Sequence, residues 1–76
     1  MLNQGDLLTL ENEKEYAVVD TTIIDGITYV YLINSKNFED FMFCSYDQVD
    51  GLYEVEEQDI LSKLIEVFNY QLNGTN

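Results

Sequence analysis

The chain contains no histidine, arginine, proline or tryptophan, a single cysteine and only three lysines. Without histidine, no side chain has an ordinary pKa suited to moving protons near neutral pH, and without arginine there is no planar fork to clamp a carboxylate or phosphate. Ser35, Ser45 and Ser62 stand outside any nucleophile-elbow pattern, and the four glycines are too scattered to form a phosphate-cradling loop. Paired carboxylates can act as acid and base, but here they are so abundant that none is singled out. We therefore expect a protein that is not an enzyme, with no catalytic residues and no cofactor.

Cys44 has no partner for an internal disulfide, and its neighbours Met42 and Phe43 suggest a small buried apolar side chain rather than a reactive thiol. Residues 1–6 show no basic stretch leading into an apolar one, and no apolar run approaches the ~20 residues that cross a bilayer. A cytoplasmic location is expected. Asn73-Gly74-Thr75 matches a glycosylation sequon, but with no secretion signal it reads as a helix end followed by a tail.

What the chain has in excess is acid: fifteen Asp and Glu, for a net charge of −12. Such a surface repels nucleic acid and anionic lipid, both of which bind through Lys and Arg, so direct DNA, RNA or membrane contact is not expected. A basic protein surface or a divalent cation is the natural complement. Asp47, Asp50, Glu54, Glu56, Glu57 and Asp59 put six carboxylates into thirteen residues, yet Asp47 to Gly51 lacks the alternating ligands and sixth-position glycine of a calcium loop. No specific metal site is expected. Size scaling gives a surface of roughly 4,800 Å², or about one carboxylate per 300 Å², against roughly one phosphate per 100 Å² on duplex DNA. The average is too dilute to imitate DNA, although the Asp47–Asp59 stretch could reach that density if Glu11, Asp20 or Asp25 lies beside it.

The 46% hydrophobic content and ten aromatic residues suffice for one small core, so residues 1–76 are read as a single domain. At its centre stand two strand-like runs, Ala17–Ile24 and Ile27–Asn34, joined by Asp25-Gly26, a pair suited to a type I′ turn. A two-residue turn pairs Ile24 with Ile27, Thr22 with Tyr29, Asp20 with Tyr31 and Val18 with Ile33. Val19 with Leu32 and Thr21 with Val30 then fall on the other side. The mixed pattern around Val18 to Ile24 fits either a bulge or a strand covered on both faces. Tyr29 and Tyr31 form an aromatic stripe best read as core with wet hydroxyl tips.

Before this hairpin, Gly5 to Leu10 reads as a short strand, with a helix over Leu7 to Lys14 as the lesser alternative. After it, Phe41 to Tyr46 reads as a further strand, and Asp50-Gly51 as a second hairpin turn. Counting outward pairs Val49 with Leu52, Gln48 with Tyr53, Asp47 with Glu54, Tyr46 with Val55 and Ser45 with Glu56. That register crowds Asp47, Glu54 and Glu56 on one solvent-facing side. From Asp59, a plausible N-cap, Ile60, Leu61, Leu64, Ile65, Val67, Phe68 and Leu72 recur at helical spacing, with Asn73-Gly74 as the stop. No proline interrupts these elements. The fold class is α+β: an antiparallel meander of four or five strands, flat or curled toward a barrel, with one C-terminal helix packed on it.

Tyr16-Ala17-Val18-Val19-Asp20, then Gly26-Ile27-Thr28-Tyr29 opening a Leu-containing strand, the second acidic Asp-Gly turn and Ile60-Leu61 to Phe68 in the helix together resemble the YrzB-like small acidic bacterial proteins, a domain of unknown function. The likeness runs from Leu7 to Leu72 and rests on composition and spacing; Phe41 to Cys44 departs from it, as does the lack of longer acidic insertions. It implies a cytoplasmic α+β domain and supplies no activity or site residues.

Functionally, we expect a binding module that presents carboxylates and tyrosines to a basic protein surface, with Tyr46, Asp47, Asp50, Tyr53, Glu54 and Glu56 as its contacts. A sharper form is a DNA-mimic-like inhibitor of a nucleic-acid-binding protein. The alternative is a housekeeping accessory or assembly protein whose acidity serves solubility and whose contact surface is apolar, through Tyr29, Tyr31 or Phe41.

Overall fold

The computed structural model describes residues 2–73. Five strands form one antiparallel sheet in sequence order: β1 (Leu7–Thr9), β2 (Glu15–Ile24), β3 (Ile27–Asn34), β4 (Phe41–Asp47) and β5 (Gly51–Glu54). The sheet curls into a half-barrel, and α1 (Gln58–Asn73) packs on one face. The expected α+β meander with a C-terminal helix is the observed fold, and the first segment is a strand, not a helix.

The central hairpin forms as its turn residues dictate. Asp25 (φ 54°) and Gly26 (φ 81°) both adopt positive φ, and Ile24 pairs with Ile27, Thr22 with Tyr29, Thr21 with Val30 and Asp20 with Tyr31. Beyond Asp20 the expected register fails. The ladder shifts between Val18 and Asp20, so Val18 pairs with Leu32 rather than Ile33, Ala17 pairs with Ile33, and Val19 is the extra residue of a bulge. The bulge changes which side of β2 faces inward. Tyr16 and Val18 enter the inner core before it, whereas Ile24 packs on the helix side after it.

The second hairpin also departs from expectation. Asp47 pairs with Gly51, Tyr46 with Leu52, Ser45 with Tyr53 and Cys44 with Glu54, leaving Gln48, Val49 and Asp50 as a three-residue loop. Asp47 Oδ1 accepts the backbone N–H groups of Val49 (2.7 Å) and Asp50 (3.2 Å), and the positive φ falls on Gly51 (87°) alone. A carboxylate that caps two loop amides favours this longer turn over the two-residue one.

Alternation along the strands builds two cores. The inner, concave face gathers Tyr16, Val18, Val30, Leu32 and Cys44, with Leu8, Leu10, Met42 and Leu52 around them. The helix-bearing face gathers Tyr29, Phe43, Leu64 and Phe68. Phe68 stacks on Phe43 with ring centroids 5.7 Å apart and planes at 7°, and Tyr31 lies 5.7 Å from Phe68. The tyrosine stripe is thus core, with Tyr29 buried and Tyr31 half-buried.

The helix starts one residue before Asp59. The Glu57 carbonyl accepts the first helical bond, from Leu61 N–H, so Asp59 lies in the first turn, where its charge opposes the positive helix end. The apolar stripe is wider than the surface it buries: Leu64 and Phe68 are fully covered, while Ile65 and Leu72 remain exposed. The helix runs through Asn73; Gly74, the second residue of the expected stop, and the rest of the sequon lie outside the described residues.

Candidate functional site

Both Asp-Gly hairpins open at the same end of the sheet, because β3 and β4 are neighbours and Thr28 pairs with Tyr46. Between and around the two turns is an open cleft of about 750 Å³, whose lining includes Ile23, Ile27, Tyr46, Asp47, Asp50 and Tyr53. A smaller opening, lined by Glu54, Glu56, Glu57, Tyr29 and Ile60, adjoins it and shares Ile27 and Ser45. The six expected contact residues therefore gather at one end of the molecule, four around the main cleft and two at its neighbour.

They do not share one surface as the expected register required. Tyr46 packs half-buried against the inner core, whereas Tyr53, in register with Ser45, lies on the opposite face and is 57% exposed. Glu54 stands opposite Cys44, not Asp47, and Glu56 lies in the segment between β5 and α1. Asp47, Glu54 and Glu56 therefore do not crowd together on one side. The cause is the register shift imposed by the three-residue loop.

The carboxylates also differ in role. The two amide hydrogen bonds at Asp47 favour its charged form and hold its carboxyl below the usual carboxylate range. Asp47 is thus occupied by the turn. Asp50, Glu54 and Glu56 are exposed. No lysine occurs between Lys36 and Lys63, so the second hairpin has no basic residue of its own to neutralise it.

Sequence reasoning missed the apolar part of this end. Ile23 is 69% exposed and Val49 91%, with Ile27 also exposed beside the cleft. A valine between Asp47 and Asp50 at a loop tip was the visible signal, since such a position normally holds a polar residue. Cys44 is buried as expected, and burial, aided by the charge of Glu54 opposite, pushes its thiol up to about 11.

The opposite end is closed by a polar network. The Tyr16 hydroxyl donates to Asp40 Oδ2 (2.7 Å), Asn34 Nδ2 donates to the same oxygen (3.1 Å), and Lys14 Nζ lies 3.8 Å from it. The Tyr16 hydroxyl bond, followed by that from Asn34, lowers the Asp40 pKa, and the same carboxylate raises that of Tyr16. Asn34 Oδ1 in turn accepts the N–H groups of Lys36 and Asn37, so the network pins the β3–β4 connection to the core. Its side chains are spent on one another.

Among the described residues, no three Cys, Asp or Glu side chains gather in a group that could hold a metal ion, and no helix is long and apolar enough to cross a membrane. No family model, curated protein or solved structure matches the chain.

Proposed function

We propose that this chain is a non-enzymatic, cytoplasmic binding protein that presents its hairpin end to a basic protein surface. The observation that carries this reading is the combination at one end of exposed apolar side chains (Ile23, Val49 and Tyr53) with Asp50, Glu54 and Glu56 and no lysine on the second hairpin. Charge of one sign steers a basic partner over about 8–10 Å, and the apolar tip supplies the desolvated anchor that fixes it. Tyr53 and Val49 are the anchors, with the carboxylates as rim. Tyr46 supports Leu52 and the cleft wall from the inner core.

The partner need not bind DNA. An accessible surface of 5557 Å² spreads the fifteen carboxylates at about one per 370 Å², well below the roughly one per 100 Å² of duplex DNA. The likeness to YrzB-like proteins adds no activity to the proposal.

The test is affinity capture from cell extract at low and high salt, using the parent chain, a Tyr53→Ala variant and a Glu54→Lys/Glu56→Lys variant. Capture of a basic protein that fails at high salt and with both variants is the expected result. Salt-indifferent capture retained by both variants would discard the hairpin end and leave acidity with solubility alone. In that accessory reading Tyr29 is unavailable as a contact, being only 6% exposed.

A further inference from the structure

We propose that the part of the helix-bearing sheet face left uncovered by α1 receives an amphipathic helix of a partner protein, apolar toward the sheet and basic at its flanks. This surface lies away from the hairpin end and does not rest on the reading given above.

The strand register defines the surface. Leu7 pairs with Ala17, Ala17 with Ile33, and Ile33 with Phe41, so four apolar residues form one row across β1, β2, β3 and β4. The row lies on the helix side of the sheet. Ile33 and Phe41 alternate in phase with Tyr31 and Phe43, which pack against α1, while Leu8 and Leu32 in the intervening positions serve the inner core. Leu7 is 60% exposed and Phe41 52%. A sheet face of this composition is ordinarily covered by a second layer.

The helix supplies the other wall. Between α1 and the sheet runs a groove of about 280 Å³ lined by Tyr31, Phe41, Phe43, Ile65, Phe68 and Leu72, with Asn69 as its one polar residue. Ile65 and Leu72 belong to the apolar stripe of α1 but remain exposed along this flank. The floor is therefore apolar, the wall apolar but for Asn69, and both are open.

Dimensions and charge choose the occupant. Three interstrand spacings of about 4.8 Å make the row about 14 Å long, which matches roughly ten residues of helix at 1.5 Å each. Apolar residues at i, i+3 or i+4, i+7 and i+10 or i+11 on such a helix would meet Phe41, Ile33, Ala17 and Leu7 in turn. The row crosses the strands, as α1 does between its start after β5 and the Gln71–Asp20 hydrogen bond on β2 (2.9 Å). Two helices side by side would then cover the face.

The face carries acid rather than base. Glu15 sits one row outward from Ala17 on the same side, Asp20 stands opposite Tyr31, and Glu66 follows Ile65. Of the lysines, Lys63 lies about 200° around the helix from Ile65, while Lys14 and Lys36 stand at the edge of the face beyond Asn34, where they share one opening with Glu13 and Glu15 and Lys14 pairs with Asp40. A second copy would set one net charge of −12 against another, which basic flanks on a partner helix avoid.

The probe is a synthetic amphipathic peptide of about fourteen Leu and Lys residues with helical apolar spacing, tested beside a scrambled Leu/Lys peptide and a Leu/Glu peptide of the original spacing. Amide chemical shifts of the ¹⁵N-labelled chain locate the contact, and titration gives the affinity. Shifts at Leu7, Ile33, Phe41, Ile65 and Leu72 are expected, with binding weakened about tenfold or more by Phe41→Ser or Ile65→Ser. Shifts centred on Val49 and Tyr53, equal binding of the scrambled or the Leu/Glu peptide, or no binding would overturn the proposal. So would self-association of the parent that Phe41→Ser abolishes, since the occupant would then be a second copy. Should Phe41→Ser fold poorly, Ile65→Ser decides, because that side chain is already exposed in the monomer.

Discussion

Phe68→Ala separates the part of the helix stripe that holds the domain together from the part that does not. Phe68 is 2% exposed, stacks on Phe43 and touches Tyr31, so its removal loses the burial of a ring and opens a void between helix and sheet. Such truncations cost about 3–5 kcal/mol, of which the aromatic pairing accounts for about 0.5–1.5 kcal/mol. A chain of this length has about 4–11 kcal/mol of total stability at the usual per-residue range, so the variant stands near the edge of folding. At about 4 °C or more per kcal/mol for small domains, the melting temperature should fall by more than about 12 °C. Ile65→Ala is the matched control, because Ile65 lies on the same helix and belongs to the same apolar pattern but is 55% exposed. Its effect should stay within about 0.5 kcal/mol in either direction. Urea titration followed by circular dichroism, with the three proteins side by side, measures both. A Phe68→Ala midpoint equal to the parent's, or an Ile65→Ala loss of similar size to that of Phe68→Ala, would refute the docking of α1 described here.

Two further outcomes follow from the turns and the titrating groups. Gly26→Ala should cost about 1–2 kcal/mol, the penalty of a left-handed backbone for a residue with a Cβ, because φ is 81° and the added atom would meet nothing within 4 Å; an unchanged urea midpoint would speak against the type I′ turn. Stability should fall along an acid limb and along an alkaline limb. Asp40 and Asp47 titrate lower in the folded chain than in the unfolded one, so their contributions are complete above the ordinary value of 3.8 and vanish as pH falls through the folded values. Tyr16 and Cys44 titrate higher when folded, so their contributions are complete below their ordinary values of 10.0 and 9.0 and are lost as pH rises through the folded ones, about 11 for Cys44. Urea midpoints across the pH range check both limbs, and an Asp40→Asn variant with an unaltered acid limb would remove Asp40 from this account.

The first hairpin was legible because Asp25-Gly26 sits between runs with no competing local chemistry, and its turn alone fixes the register as far as Asp20. The bulge was legible only as one of two possibilities. Val18 and Val19 are equally apolar, so alternation cannot say which of them leaves the ladder; the closure of the inner core around Tyr16 and Val18 decides it. The second hairpin carries the same Asp-Gly pair but obeys Asp47, whose carboxylate offers Val49 and Asp50 an alternative to strand pairing. That bond moved Glu54 opposite Cys44 and dispersed the acidic patch the simpler register implied. The residues expected to form the contact surface thus come together at the hairpin end but not in the arrangement the simpler register implied, and the exposed apolar side chains beside them were missed.

The carboxylates themselves then divide into those the fold uses and those it does not. Asp40 accepts from Tyr16 and Asn34, Asp47 holds its loop, Glu15 accepts from the Ser35 hydroxyl (2.9 Å), and Asp20 receives Gln71 from the helix. Asp25, Asp50, Glu54 and Glu56 have no hydrogen bond or ion pair from their side chains to the described residues, and at −12 overall each of them adds repulsion that the folded state must tolerate. The same division holds for the apolar residues, since Phe43, Leu64 and Phe68 are buried while Val49, Ile23, Phe41 and Ile65 are not. Charge alone would serve solubility wherever it stood. Charge next to exposed valine, isoleucine and tyrosine at one end, and exposed leucine and phenylalanine in a single cross-strand row elsewhere, are arrangements that solubility opposes and that binding to a basic, partly apolar partner would use.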